Sequence, residues 1–505
     1  MNRLLLEEKL LPKAADEVFR FITPHPPQAV PLPLEGKAFY YKEKFMKSIR
    51  FYLAMIVSKI AYLGLKILGR KGTSLPGSIA VKICKDFLAQ ITPPKTVIAV
   101  TGTNGKTTVS NLLTSILREC GYKVTNNSFG TNIQAGVVAA LLTDSKLNGK
   151  PTTDIAVLEV DERSSLLVYP YLAPDFLICN NLMRDSIKRN AHTEFIRYII
   201  DTALPKSTKL ILNADDMISS DLAPENEDRT YFGLNVEIPE ANAADKTVKD
   251  IVYCPNCGGR LEAEYLRYNH IGRMHCPDCG KHSPDPDFLV TAIDRENGTF
   301  TVSHDGKEDV FNLINDNIVN VYNFCGAIAL LTKLGLSYEQ ICKGFTDGEI
   351  VKSRYDNLEV DGRKITMLMA KGQNPIACTR CYSYVSKCEG QDKRLIIMVD
   401  DKFDNVGNTE NMCWIYDCDY TPLADESISQ ILFAGPRCRD HYLRALIAGV
   451  PADKMRMTDS YTNIPSHLET EGGNEFYILY ELYFADEAVG VSKELAEKLR
   501  KEREA

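Results

Sequence analysis

Two glycines, a lysine and a threonine stand together in TGTNGKTT, Thr101–Thr108, between the apolar run VIAV and the segment SNLLTSIL. A glycine-rich turn between a strand and a helix lets successive backbone N–H groups face phosphate oxygens, with the positive end of the helix behind them. Gly102, Thr103, Asn104, Gly105, Lys106, Thr107 and Thr108 are therefore the expected phosphate cradle of a nucleotide site. Lys106 would neutralise the outer phosphates, and the Thr107 hydroxyl is placed to ligate magnesium. A magnesium nucleotide also needs an oxygen ligand from another strand end, and Glu159 in LEVDE, after the run IAVLEV, is the candidate. His192, in RNAHTE, is either a helper of that metal or an ordinary surface histidine. Val100 sits where the general phosphate-loop pattern has its first glycine, so the loop is a variant form.

Fifteen cysteines offer a second chemistry. Cys254, Cys257, Cys276 and Cys279 follow C-x2-C-x18-C-x2-C, with a glycine after each pair. Four thiolates so spaced match a closed tetrahedral structural zinc site, which leaves no open position for catalysis. An insert this short has no core of its own, so the metal would supply most of its folding energy. A third C-x2-C pair, Cys378 and Cys381, lies near Cys388, Cys413 and Cys418 in sequence. These are a second metal or redox site, or buried or free thiols.

The elements that must position these groups follow from the apolar runs. TVIAV, DIAVLEV, DFLICNN and KLILNADD read as strands alternating with helices, which implies a mostly parallel sheet flanked by helices. The pattern breaks near Ile251 into the cysteine insert, about residues 251–284, and resumes with FLVTAI, TFTVSH and the helix NVYNFCGAIALLTKLG. After Arg354 a new alternation begins, with strands KITMLMA, RLIIMVDD, QILFAG and FYILYEL and helices HYLRALIAG and KELAEKLRKERE. The expected fold is α/β: a nucleotide-binding domain over 47–349 carrying the zinc ribbon, then a smaller Rossmann-like domain over 350–505. Residues 1–46 contain TPHPPQAVPLPLEG and read as an extended arm.

The formal net charge of −8 argues against bulk nucleic-acid binding. Charge is uneven, because Lys37 to Lys71 holds nine Lys or Arg and the single acid Glu43. Lys59 and Lys66 interrupt the apolar residues there well short of the roughly 20 needed to span a bilayer. The stretch is an amphipathic helix packed on the protein, or one that touches an anionic membrane surface. Met1–Leu11 has Glu7 and Glu8 and no small-residue cleavage site, so a cytoplasmic protein is expected, with the inner membrane face as its alternative address.

TGTNGKTT, GTNI (Gly130–Ile133), EVDE, NNLMRD, LNADD and NVYNFCGAIA, in this order, resemble the ATP-binding domain of the Mur ligase family. The resemblance implies ATP and Mg2+ as cofactors and activation of a carboxylate as an acyl phosphate that an amine then attacks. It implies that Asn132, Asn323 and Arg354 line the nucleotide. The zinc ribbon and short C-terminal domain narrow the likeness to the MurT type, over about residues 47–505. That type implies a GatD-like glutamine amidotransferase partner, and amidation of the D-glutamate α-carboxyl of the lipid II stem peptide with ammonia from glutamine. In MVDDKFDNVGNTENMCWIYDCDY, alignment on Trp414 gives Asp417 the role of completing the partner's catalytic triad. The segment AKGQNPIACTRCYSYV departs from the type by extra residues between Lys371 and Asn374. Alternatives are a Mur or folylpolyglutamate type of ligase that adds an amino acid directly, a MurT-like ligase for another carboxylate, and a zinc-ribbon binding module with a vestigial nucleotide site. The last predicts loss of Lys106, Thr107 or Glu159, and all three are present.

Overall fold

The computed structural model describes residues 47–69, 74–127, 131–185, 192–236, 249–314, 316–347, 355–370, 374–399, 413–481 and 484–504. The arm expected over 1–46 lies outside the described residues, as do Gly130, Arg354 and Lys371.

A nine-stranded sheet organises the first part of the chain. Its strands are β1 (Thr96–Thr101), β2 (Val124–Asn126), β3 (Ile155–Glu159), β4 (Phe176–Cys179), β5 (Lys209–Asn213), β6 (Arg229–Leu234), and, after a separate hairpin β7 (Glu262–Tyr268) and β8 (Ile271–His275), β9 (Phe288–Asp294), β10 (Thr299–His304) and β11 (Lys307–Asn312). The spatial order is β11-β10-β9-β6-β5-β4-β1-β3-β2. Pairings from β2 through β9 are parallel, whereas β10 runs antiparallel to both β9 and β11, so the expected mostly parallel sheet ends in a meander. Parallel strands covered on both faces read as unbroken apolar runs, which is why VIAV and IAVL lack alternation.

The longer helices of this part are α1 (Ile49–Ile67), α2 (Leu75–Ile83), α3 (Lys106–Glu119), α4 (Gln134–Thr143), α5 (Thr193–Ala203), α6 (Ile318–Leu334) and α7 (Tyr338–Asp347). Ile98 and Val100 face the core made with α3, α6 and α7, through Val109, Leu113, Ile328 and Phe345. Val97 and Ala99 face the opposite core with α1, α2, α4 and α5, through Phe51, Ala80, Val138 and Ile196. Alternate side chains of one strand thus tie two helical layers together.

A second, six-stranded sheet follows: β12 (Tyr355–Val360), β13 (Arg363–Met369), β14 (Lys393–Met398), β15 (Ile428–Ala434), β16 (Met455–Thr458) and β17 (Glu475–Tyr480), ordered β12-β13-β17-β14-β15-β16. Only the edge pairing β12 to β13 is antiparallel. α8 (Pro375–Lys387) and α9 (Cys438–Ile447) contribute Cys378, Tyr382 and Cys438 to one face, and α10 (Ala485–Glu504) covers the other through Val491, Leu495 and Leu499.

Candidate nucleotide site, cysteine cluster and domain boundary

β1 ends at Thr101 between the carboxyl ends of β3 and β4, with Val100 paired to Glu159 on one side and Ile178 on the other. Ligands of open α/β sheets bind at such strand ends. The chain then turns through Gly102 (φ 119°) and Gly105 (φ 84°) into α3. Both glycines are required by conformation and by space: a Cβ at Gly102 would meet the Asn181 carbonyl at 2.9 Å, and one at Gly105 would meet Asn323 Oδ1 at 2.2 Å. The loop is pinned from outside, because Thr103 N–H donates to the Asn181 carbonyl (2.8 Å), Thr103 Oγ1 to the Met183 carbonyl (2.9 Å) and Asn104 N–H to Asn181 Oδ1 (3.0 Å).

Lys106, its side chain 11% exposed, pairs with Glu162 Oε1 at 2.9 Å while donating to the Gly102 carbonyl. Burial opposes its charge, but Glu162, Asp161 and Glu159 outweigh that and push its pKa up to about 12. The Thr107 hydroxyl donates to Glu159 Oε2 at 3.0 Å, and the Asn132 amide donates to Glu159 Oε1 at 3.2 Å. Asn127 fixes the Glu159 backbone through both its amide groups, at 2.7 and 2.8 Å. Thr107 and Glu159 therefore offer two hard oxygen donors side by side, the set a magnesium nucleotide needs. Asn323 lies against Gly105 from α6, and its Oδ1 is a buried acceptor with no hydrogen-bond partner among the described residues. His192 is exposed at the start of α5 and makes no capping bond. Glu162 was not singled out by sequence; its only signal is its place three residues after Glu159 in an acidic segment.

The four cysteines converge, with ligand atoms all within 4.8 Å of one another; Cys254 to Cys279 is 3.6 Å and Cys257 to Cys276 is 3.5 Å. Sulfurs bound tetrahedrally at about 2.3 Å from zinc would stand about 3.8 Å apart, so the donor set fits that ion. Each pair sits on the same turn: Gly258 N–H donates to the Cys254 carbonyl and Gly280 N–H to the Cys276 carbonyl, both at 2.9 Å and both with φ 74°. No other group of three or more such donors forms among the described residues. Cys378 and Cys418 lie in the hydrophobic core of the second sheet, and Cys388 packs against it.

The hairpin β7–β8 that carries the cluster does not stand free. His270 at its tip is buried, with Nε2 3.1 Å from Asp216 Oδ1 and Nδ1 3.6 Å from Asp250 Oδ2. Burial disfavours the imidazolium, but the Asp216 hydrogen bond and the charges of Asp216 and Asp250 prevail and raise its pKa. Asp250 also pairs with Arg184, and Arg184 Nη1 reaches Asp417 Oδ2 at 3.3 Å from the first sheet's loops to the second sheet's domain. Asn374 caps α8 by accepting from Ala377 N–H (3.0 Å) and donates to Asp185 Oδ1 (2.8 Å). The Arg380 guanidinium lies 4.5 Å from the ring centre of Tyr268 on β7. Of the acids near Asp417, Asp419 accepts from Thr421 N–H and Oγ1 (2.9 and 2.7 Å), and Asp425 accepts from Ser427 N–H (2.9 Å). Those two shape local turns, while Asp417, the last residue of the short helix Cys413–Asp417, faces the neighbouring domain and stays partly exposed. Nothing in the periodicity of the sequence marked Arg184, Asp250 or His270.

Comparison with known proteins agrees with this architecture. Residues 100–259 match the Mur ligase middle domain, and residues 372–483 match the MurT ligase C-terminal domain. The chain is 29% identical over 426 residues to the lipid II isoglutaminyl synthase (glutamine-hydrolyzing) subunit MurT of Staphylococcus aureus (strain COL), covering 84% of this chain and 94% of that protein. With the subunit of the same name from Streptococcus pneumoniae it is 27% identical over 435 residues, covering 86% and 94%. Among solved structures, a pseudomurein peptide ligase type C from Methanothermus fervidus shares the fold with a TM-score of 0.60 at 20% identity, over 82% of this chain and 81% of that one. MurF ligase from Thermotoga maritima in complex with ADP has a TM-score of 0.53 at 13% identity, over 84% of each chain. The chain thus carries a match to the Mur ligase middle domain followed by a match to the MurT ligase C-terminal domain, and is similar to MurT subunits over most of its length.

Proposed function

We propose that this chain is the ATP-dependent ligase subunit of a lipid II isoglutaminyl synthase, amidating the D-glutamate α-carboxyl of the stem peptide with ammonia delivered by a GatD-like glutaminase. The observation that carries the nucleotide half is the approach of Thr107 Oγ1 to Glu159 Oε2, 3.0 Å, beside the Lys106–Glu162 ion pair. ATP with Mg2+, when bound, would supply its γ-phosphoryl group to the substrate carboxylate with ADP leaving, and the acyl phosphate so formed would release phosphate when ammonia attacks its acyl carbon. The residues' part is positioning and charge. The Gly102–Thr108 loop would hold the phosphates, Lys106 would offset their negative charge, and Thr107 and Glu159 would hold the metal. Asn132 stands against Glu159 and Asn323 against Gly105, where they would line the bound nucleotide.

The ammonia half rests on the likeness to MurT subunits over most of the chain and on the orientation of Asp417. A carboxylate that orients the imidazole of a partner's cysteine–histidine pair must be exposed, anionic and fixed in direction. Asp417 is partly exposed and is held by Arg184. The cysteine cluster, as zinc, would be structural, because four thiolates close the coordination shell. The test is co-expression with the candidate glutaminase, followed by ATP-dependent amidation of lipid II with glutamine, ammonia or a free amino acid as nitrogen donor. Turnover on glutamine and ammonia supports the reading; turnover only on a free amino acid, without complex formation, overturns it.

A further inference from the structure

α1 packs on the protein with one face and presents a second apolar face to the outside. Phe51, Ala54, Met55 and Ser58 are fully buried. On the opposite side stand Ile49, Leu53, Ile56, Ile60, Leu63 and Ile67, all exposed, with Ile49 at 88%, Ile60 at 64% and Ile67 at 85%. At about 100° per residue these six fall within an arc of about 80°, directly across from the buried four. Single exposed apolar residues are ordinary, but a continuous stripe along a 19-residue helix is not.

The charges beside this stripe select its occupant. Arg50 lies on one flank, and Lys59 and Lys66 lie on the other, with Arg50 and Lys66 exposed. From Lys44 to Lys85 the chain holds nine Lys or Arg and no acid, although the whole protein is at −8. An apolar stripe with cations along both edges is the pattern of a helix lying in a membrane interface, where long cationic side chains reach out to headgroups. A two-fold contact between two copies would instead bring the basic edges against each other. No helix among the described residues is long and apolar enough to cross a membrane.

We propose that the Ile49–Ile67 face docks in plane on an anionic lipid surface. Independently of the nitrogen donor or the acceptor, this would hold the ligase at the bilayer. The measurement is flotation of the purified full-length chain with vesicles of phosphatidylcholine alone or mixed with phosphatidylglycerol, containing no lipid-linked substrate, so the result does not depend on ligase activity. Binding to the anionic vesicles is expected, weakened by salt and lowered about tenfold or more by Leu53→Glu with Ile60→Glu, with the thermal melt unchanged. Arg50→Glu with Lys66→Glu, which leaves the stripe intact, is expected to remove the preference for anionic vesicles. The proposal is overturned if the wild-type chain ignores anionic vesicles, binds neutral ones equally, or binds unchanged in the Leu53/Ile60 variant. It is also overturned if light scattering shows a dimer that the Leu53/Ile60 variant abolishes, or if vesicle binding appears only when residues 1–46 are deleted.

Discussion

Arg184 holds two carboxylates at once, Asp250 on its own domain and Asp417 at 3.3 Å on the next. The second contact fixes the direction of the carboxylate that we propose completes a partner's triad. Asp417→Asn should lower glutamine-driven turnover by about 10³-fold or more while ammonia-driven turnover stays within a few-fold. Arg184→Ala should produce a weaker form of the same split. Steady-state rates with the two nitrogen sources check this, and equal loss of both removes Asp417 from the triad role.

Lys106→Ala and Glu159→Gln should each abolish turnover on either nitrogen source, by about 10²-fold or more. Lys106→Ala also strands buried Glu162, so a lower melting temperature should accompany it. Because the Lys106 pKa is raised to about 12, its stabilising charge is complete below the unfolded value near 10.5 and is lost only as pH rises through about 12. Nucleotide affinity, measured by calorimetry, should therefore show no Lys106 titration between pH 7 and 9.

If the cysteine cluster holds zinc, as its donor set fits, chelation or Cys254→Ser should unfold the hairpin and loosen what its tip holds. Hydrogen exchange should rise around Asp216 and Asp250 as well as in Glu262–His275, since His270 joins them. The raised His270 pKa gives stability that is full below about 6.5 and declines as pH rises through the folded value. His270→Ala, which leaves buried Asp216 and Asp250 without that cation, should cost about 3 kcal/mol and flatten this alkaline decline in a melting-temperature series.

The second domain should be acid-sensitive through His441. Its Nδ1 is 2.6 Å from the Tyr420 hydroxyl, and burial, with Arg437 nearby, lowers its pKa to about 3. It is held neutral, so stability is present above the unfolded value of about 6.5 and falls as pH drops toward 3, by about 1.4 kcal/mol per pH unit. Chemical denaturation from pH 7 to 4 should show this slope, and His441→Gln should reduce it.

What the sequence disclosed divides along physical lines. Strands buried on both faces announced themselves as apolar runs, and β1, β3, β4, β5 and β14 stand where those runs predict. β6, RTYFGL, opens on an arginine and carries a glycine, and β2 spans only Val124–Asn126, so neither has a run to read. The cysteine spacing was legible because two ligands from one turn need nearby positions. The Thr107 and Glu159 pairing was legible because strand ends collect ligands. Glu162 beneath Lys106, and the path from His270 to Asp216, Asp250, Arg184 and Asp417, join residues far apart in the chain and obey no local rule. They belong to the packing of the hairpin and the second domain against the first.

The contact of Gly105 with Asn323 carries a further meaning for nucleotide capture. Asn323 is delivered by α6, most of whose side chains are buried, and Asn181 and Met183 grip the same loop from β4's end. The loop's shape is thus stored in the core and its ordering entropy is settled during folding, so that little would remain to be lost in the phosphate binding we propose. Mutations deep in α6, remote from any ligand, would then act as affinity mutations: by loosening Asn323 they would return that entropy to the empty loop and slow its recognition of the nucleotide.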